Sequence, residues 1–224
     1  GEIRLANNID ARVSNAADCP LSGRFEPDFR INCWSHKNPG GQPLIVMWGD
    51  SSSMSWRPVM EKLARDHGFE LYVIGHPGCP PLPGTKRVDA GLNSINCARG
   101  DEMNSILAQI VALKPALVIV AGRWSLYTQG WIREGKLDEA THFITESSGV
   151  QATQEGSIQT ISRTLPRLLS SLQEGGSAVF LVKEVPVLKD TINNTRKTEA
   201  EIVPTREEHL RVSKPFDDAL KSMP

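Results

Sequence analysis

The feature that most constrains this chain is Leu44-Ile45-Val46-Met47-Trp48, a continuous apolar run that stops at Gly49-Asp50-Ser51. Consecutive apolar residues leave an extended segment with no polar face for water, so a strand here must be covered on both sides. The next stretch can supply a cover. Trp56 to Asp66 reads as a helix with Val59, Met60, Leu63 and Ala64 on one side, Pro58 in its first turn and Gly68 as its stop. The alternation then repeats. Glu70–Ile74 reads as a strand, Asp101–Leu113 as a helix, Ala116–Ala121 as a strand and Ser157–Leu172 as an amphipathic helix broken at Gly175-Gly176. Ala178–Val182 is a fourth strand, and Arg206–Leu220 is helical with Pro215 starting or interrupting it. Strands without a polar face, alternating with one-sided helices, predict an α/β chain: a three-layer α/β/α sandwich around a parallel sheet.

The 224 residues suit one domain of the larger sort, and 39% hydrophobic against 23% charged residues is enough for one ordinary core. Residues 1–42 carry little periodicity and are punctuated by Asn7, Asn8, Asn15, Pro20, Gly23, Pro27, Asn32, Pro39, Gly40 and Gly41. They read as an irregular lead-in or linker extension before a domain over 43–224. With 25 Lys+Arg against 26 Asp+Glu the formal charge is −1, which argues against a phosphate-tracking surface and a nucleic-acid partner. The longest apolar runs fall far below the roughly 20 residues of a membrane span. The start shows no signal peptide, and opening on Gly1 without Met reads as an excised or processed piece.

Four cysteines, Cys19, Cys33, Cys79 and Cys97, form two sequence-local pairs without any CxxC or Cys/His ligand spacing, so no metal site is expected. Three disulfide connectivities are open; Cys19–Cys33 with Cys79–Cys97 is the economical one, and four free cytosolic thiols is the alternative. Their Pro- and Gly-rich surroundings favour oxidation, which places the chain outside the cytoplasm.

In parallel sheets chemistry gathers at the C-terminal ends of the strands. Three segments therefore matter: Gly49–Ser53, Gly75–Pro81 and Gly122–Tyr127. A serine between a strand and a helix N-terminus sits where backbone N–H groups and the helix dipole favour negative charge. That environment can activate a hydroxyl and stabilise an oxyanion, which makes Ser51 the candidate nucleophile. The alternative is that Ser51, Ser52 or Ser53 only caps the helix.

Gly49-Asp50-Ser51 after the first strand resembles the first motif of the SGNH hydrolases. With Gly78-Cys79-Pro80-Pro81-Leu82, Cys97, Lys114-Pro115 and Arg123-Trp124-Ser125-Leu126-Tyr127 in this order, residues 42–220 are similar to the extracytoplasmic SGNH domain of the acyltransferase-three family. Those are bacterial membrane proteins that O-acylate surface polysaccharides. The resemblance implies an SGNH/flavodoxin-like fold without cofactors, and a serine nucleophile, Ser51, forming an acyl–serine intermediate. It implies an oxyanion hole from the Ser51 and Gly78 amides; the alternative for Gly78 is a plain turn glycine. The family's third motif, Gly-x-Asn-Asp, is replaced by Gly122-Arg123-Trp124-Ser125, so the Asn donor is missing. Arg123 can supply charge-assisted donors instead, or can be a salt-bridged arginine beside a core tryptophan.

The family's closing Asp-x-x-His, the base and its orienting acid, is not found. Of His36, His67, His76, His142 and His209 none lies in that motif; Glu139-Ala140-Thr141-His142 has a similar spacing but falls before the fourth strand, in a polar insertion. His76, at the end of the second strand, is a minor candidate; His67 and His209 read as structural and solvated. The simplest account is a domain lacking its last strand together with that motif. Asn193-Asn194-Thr195 fits a glycosylation sequon, which has no meaning in a bacterium.

The expected activity is transfer of an acyl group, acetyl above all, from a donor delivered by a membrane acyltransferase domain of the same protein to an envelope polysaccharide such as lipopolysaccharide O-antigen, in the periplasm. A carbohydrate O-acyl esterase and a non-catalytic glycan-binding module are the alternatives.

Overall fold

The computed structural model describes residues 21, 31–38, 40–87, 102–133, 136–138, 142–146, 152–183 and 203–223. Its centre is a five-stranded sheet in the order β1-β3-β2-β5-β9: β1 (Asn32–His36), β3 (Glu70–Gly75), β2 (Leu44–Gly49), β5 (Leu117–Ala121) and β9 (Ala178–Val182). The last four run parallel, as the apolar runs required; β1 pairs antiparallel with β3, Cys33 opposite Ile74. Part of the lead-in read as irregular is therefore an edge strand. Asn32-Cys33-Trp34-Ser35-His36 lacks an apolar run because an edge strand packs few of its residues: Cys33 alone is buried.

The sheet residues divide between two cores, since successive side chains point to opposite faces. Met47, Leu71, Val73 and Ala121 face helix α1 (Ser51–His67) through Met60 and Ala64. Val46, Trp48, Ile74, Val118 and Val120 face the other layer. That layer takes Ile106 and Ile110 from α2 (Glu102–Ala112), and Ile161, Leu165, Leu168 and Leu172 from α4 (Gln154–Glu174). α3 (Trp124–Thr128) and α5 (Arg206–Lys221) lie on the same side, where the rings of Trp124 and Phe216 stack with centroids 4.7 Å apart. The result is the three-layer α/β/α arrangement expected. Two short ribbons complete it: β4 (Lys86–Arg87) with β8 (Ile144–Thr145), and β6 (Trp131–Arg133) with β7 (Lys136–Asp138).

Two proline expectations need correction. α1 begins at Ser51, so Pro58 lies inside the helix rather than in its first turn. α5 begins at the capping box of Thr205 and Glu208, so Pro215 neither starts nor interrupts it. In each case the proline removes one internal hydrogen bond, and well-capped helices packed on the domain absorb that loss.

The topology places the site. From β2 the chain passes through α1 to β3 on one side; β5, reached after α2, lies on the other side of β2, and the two helices cover opposite faces. The strand order thus reverses between β2 and β5, and in sheets of this kind sites form at the C-terminal ends of the strands at that point.

Candidate active site

Gly49 ends β2 hard against the neighbouring strand β5: a Cβ there would lie 2.0 Å from the Ala121 carbonyl oxygen. Asp50 follows as the N-cap of α1, its Oδ1 accepting from the Ser52 N–H at 2.7 Å. The Asp50 carbonyl takes the Ser53 N–H at 3.2 Å and the Ser53 hydroxyl at 2.7 Å, and that hydroxyl, fully buried, also donates to the Ile74 carbonyl at 3.0 Å. Capping, the alternative for the three serines, thus falls to Asp50. Ser51 is the first residue of a 17-residue helix and is exposed. Neither its hydroxyl nor its N–H has a hydrogen-bond partner among the described residues. An unsatisfied first-turn amide and the positive end of the helix dipole meet at this side chain.

The second loop is tied to the first. The His76 N–H donates to the Gly49 carbonyl at 2.9 Å, and the Cys79 N–H closes a turn onto the His76 carbonyl at 3.1 Å. With proline at the second position and Gly78 at φ +70° in the third, this is a type II turn, which favours glycine there. The closing hydrogen bond uses the Cys79 amide and leaves the Gly78 amide out of the turn. From β4, Arg87 Nη1 donates to the Gly78 carbonyl at 2.8 Å.

The third loop is held by the same carboxylate as the first. Asp50 Oδ2 accepts from the Arg123 backbone N–H and from the Tyr127 hydroxyl, each at 2.8 Å. Asp50 is 1% exposed and Tyr127 is fully buried. One carboxylate therefore caps α1 and fastens the start of α3, drawing together the ends of β2 and β5. It is Arg123's backbone, not its guanidinium, that meets Asp50. Behind Tyr127, the Ser157 hydroxyl donates to its carbonyl at 2.6 Å and accepts from the Ile144 N–H at 3.0 Å, which fixes β8 to this cluster.

Ser51, Gly78 and Arg123 thus lie in three successive loops joined by hydrogen bonds. Three further participants escaped the sequence. Asp50 was legible only as part of the serine motif; its capping of α1 and its reach to Arg123 and Tyr127 were not. Tyr127 was marked only as the end of the Arg123–Tyr127 stretch, with nothing to show its contact with Asp50, 77 residues away, and Arg87 gave no signal. The histidines are not gathered around Ser51. His36 stacks on Trp34 in β1, His67 is exposed at the end of α1, His76 is fully buried, His142 precedes β8 and His209 lies in α5. Neither Cys33 nor Cys79 is a free thiol. Cys19, Cys97, residues 139–141 of the Asp-x-x-His-like stretch and Asn193-Asn194-Thr195 lie outside the described residues.

A mostly parallel sheet flanked by helices, with a serine turn at the C-terminal end of β2, defines an α/β domain of the flavodoxin-like kind. Over residues 14–224 the chain matches the family described as "SGNH domain (fused to AT3 domains)", and it belongs to that family. Among curated proteins and among solved structures nothing matches it. Membership supports a function of the acyltransferase or esterase type, and the family's fusion to AT3 domains points to a membrane acyltransferase partner on the same chain. Among the described residues no helix is long and apolar enough to cross a membrane.

Proposed function

We propose that this domain is an O-acyltransferase, with Ser51 as the covalent carrier of the acyl group. The observation that carries the reading is the state of Ser51: an exposed hydroxyl and an unpartnered first-turn amide at the N-terminus of a long helix. In the forward half-reaction the Ser51 oxygen adds to the carbonyl carbon of an acyl donor. The electron pair displaced onto the carbonyl oxygen is met by the amides of Ser51 and Gly78, with the Arg123 guanidinium as a further cationic donor. Collapse expels the donor's leaving group, which takes the serine proton, and leaves an acyl–serine ester. In the second half a sugar hydroxyl adds to that ester, its proton returns to the Ser51 oxygen, and the acyl group leaves on the sugar. Such a reaction also needs a base; no histidine hydrogen-bonds to Ser51 among the described residues, so the reading assigns the nucleophile and the oxyanion donors alone.

The acceptor in this reading is an envelope polysaccharide such as lipopolysaccharide O-antigen, and the donor is delivered by the AT3 domain that characterises the family. A periplasmic setting suits the economical pairing of Cys19–Cys33 and Cys79–Cys97, with which the absence of free thiols among the described cysteines agrees. The second bridge would clamp the residue next to Gly78.

The test is mass spectrometry of the intact protein after brief exposure to p-nitrophenyl acetate. An acetyl group on the peptide containing Ser51, absent in Ser51→Ala, is the expected result; equal labelling of both proteins removes Ser51 from the chemistry. Transfer of that acetyl group to added polysaccharide, rather than release as acetate, separates transferase from esterase.

A further inference from the structure

We infer that Asp50 is the positioning residue of the candidate nucleophile: its carboxylate, bonded at both oxygens, holds the Ser51 turn to the loop that follows β5. The inference rests on the reading of Ser51 above. Ser51 is placed by its neighbours, because neither its hydroxyl nor its N–H has a partner among the described residues. Those neighbours are held from two directions. Towards β3, the Gly49 carbonyl accepts from the His76 N–H at 2.9 Å, and the Ser53 hydroxyl donates to the Ile74 carbonyl at 3.0 Å. Towards β5, the ladder ends at the pair of Gly49 with Ala121, and beyond it the hold passes to Asp50. Asp50 Oδ1 takes the Ser52 N–H at 2.7 Å, while Oδ2 takes the Arg123 N–H and the Tyr127 hydroxyl at 2.8 Å each. One side chain therefore bonds the residue after the serine at one end and the third loop at the other.

The donors themselves call for a carboxylate. Two of the three are backbone amides, which cannot accept, and they meet opposite oxygens. Serine, threonine or asparagine caps a helix about as well, but none of them offers an acceptor at both ends. The choice is a costly one. Asp50 is 1% exposed and makes no ion pair among the described residues, so its charge is buried on neutral donors alone. A cap does not need that charge, whereas a bridge between two amides does. The far post is firm: Tyr127 is fully buried and its carbonyl takes the Ser157 hydroxyl at 2.6 Å.

Acyl transfer depends on where the attacking oxygen stands, and a displacement of about 1 Å can cost roughly 100-fold in rate. Asp50→Asn isolates the bridge from the cap. The asparagine oxygen still accepts from Ser52, and the side chain keeps its size. Its Nδ2 then faces the Arg123 N–H and the Tyr127 hydroxyl. The hydroxyl can turn and accept, but the amide cannot, so the Arg123 loop must move away from the serine turn. Tyr127→Phe is the milder cut, since it leaves Oδ2 its bond from Arg123 and Oδ1 its cap.

The experiment uses the intact protein and p-nitrophenyl acetate as the acyl donor, comparing wild type, Asp50→Asn, Tyr127→Phe and Ser51→Ala. The rate of Ser51 acetylation is normalised to folded protein and followed against donor concentration and pH. The expected result is a fall of roughly 10- to 100-fold in the maximal rate of Asp50→Asn, with little change in half-saturation and a pH profile of unchanged shape. Tyr127→Phe should fall less, by several-fold, and it decides the matter where Asp50→Asn does not fold. A merely structural Asp50 lowers the melting temperature in both variants and leaves their normalised rates at the wild-type level, and that result overturns the inference. Loss of the acid limb of the profile in Asp50→Asn would make the carboxylate the proton acceptor and overturns the positioning role as well. If wild type acetylates no more than Ser51→Ala, the serine reading itself fails and the role of Asp50 falls with it.

Discussion

Removing the Asp50 carboxylate should break three hydrogen bonds at once, and a double-mutant cycle with Tyr127 measures how tightly they join α1 to α3. Asp50 accepts from Ser52 N–H at 2.7 Å and from Arg123 N–H and Tyr127 O–H at 2.8 Å each, at 1% exposure. Asp50→Ala removes an N-cap, worth about 1 kcal/mol. It also strands the fully buried Tyr127 hydroxyl and the Arg123 amide, and each unsatisfied buried donor costs about 1–3 kcal/mol. Together that is roughly 3–7 kcal/mol, a large part of the 5–15 kcal/mol typical of a domain. Tyr127→Phe deletes one hydrogen bond to a charged group and leaves the carboxylate two others, costing about 1.5–3 kcal/mol. In the double variant no hydroxyl is left to strand and no bond to it is left to lose, so its cost should fall short of the sum of the singles by at least about 2 kcal/mol. Urea unfolding followed by tryptophan fluorescence reads all four proteins, with the midpoint moving and the slope fixed if native compactness is kept. Additivity within about 0.5 kcal/mol would mean that residues 77 apart in sequence are not energetically joined, and would refute the latch.

The serine variant above carries its own outcome: loss of the acetyl adduct in Ser51→Ala. Gly49→Ala would press a methyl group to 2.0 Å from the Ala121 carbonyl, so strand β2 or β5 must shift; we expect a loss of several kcal/mol or failure to fold, and a urea midpoint equal to wild type would contradict the close approach. On α5 the Lys214 ammonium, hydrogen-bonded to Asp218, holds that carboxyl below its ordinary value of 3.8. A folded-state value below the unfolded one stabilises the fold above the ordinary carboxylate range, and the contribution is lost as pH falls through the lowered value. Because Asp218 is fully exposed the effect on stability is slight, so the check is an NMR titration: Lys214→Met should return the carboxyl toward 3.8, and an unmoved titration would deny the pairing.

The sequence alone determined the layers and pointed to the candidate site. An apolar run such as Leu44–Trp48 can only be a strand with both faces covered, and the helical periods of 102–112 and 154–174 supply the covers. These are local signals, each carried by fewer than two dozen neighbouring residues, and the parallel sheet follows from their alternation. Gly49-Asp50-Ser51 at the end of the first such strand marked the serine for the same reason. What required the tertiary structure was every relation between distant residues. Strand β1 pairs where the sequence reads as irregular, since an edge strand needs hydrogen-bond partners more than an apolar pattern. Asp50 chooses Tyr127 and Arg123 only when β2 and β5 lie side by side, and Arg87 meets Gly78 only when the ribbon folds back over the loop. Periodicity records how a segment meets water; a hydrogen bond between remote side chains depends on where the folded backbone brings them, and no local pattern encodes that.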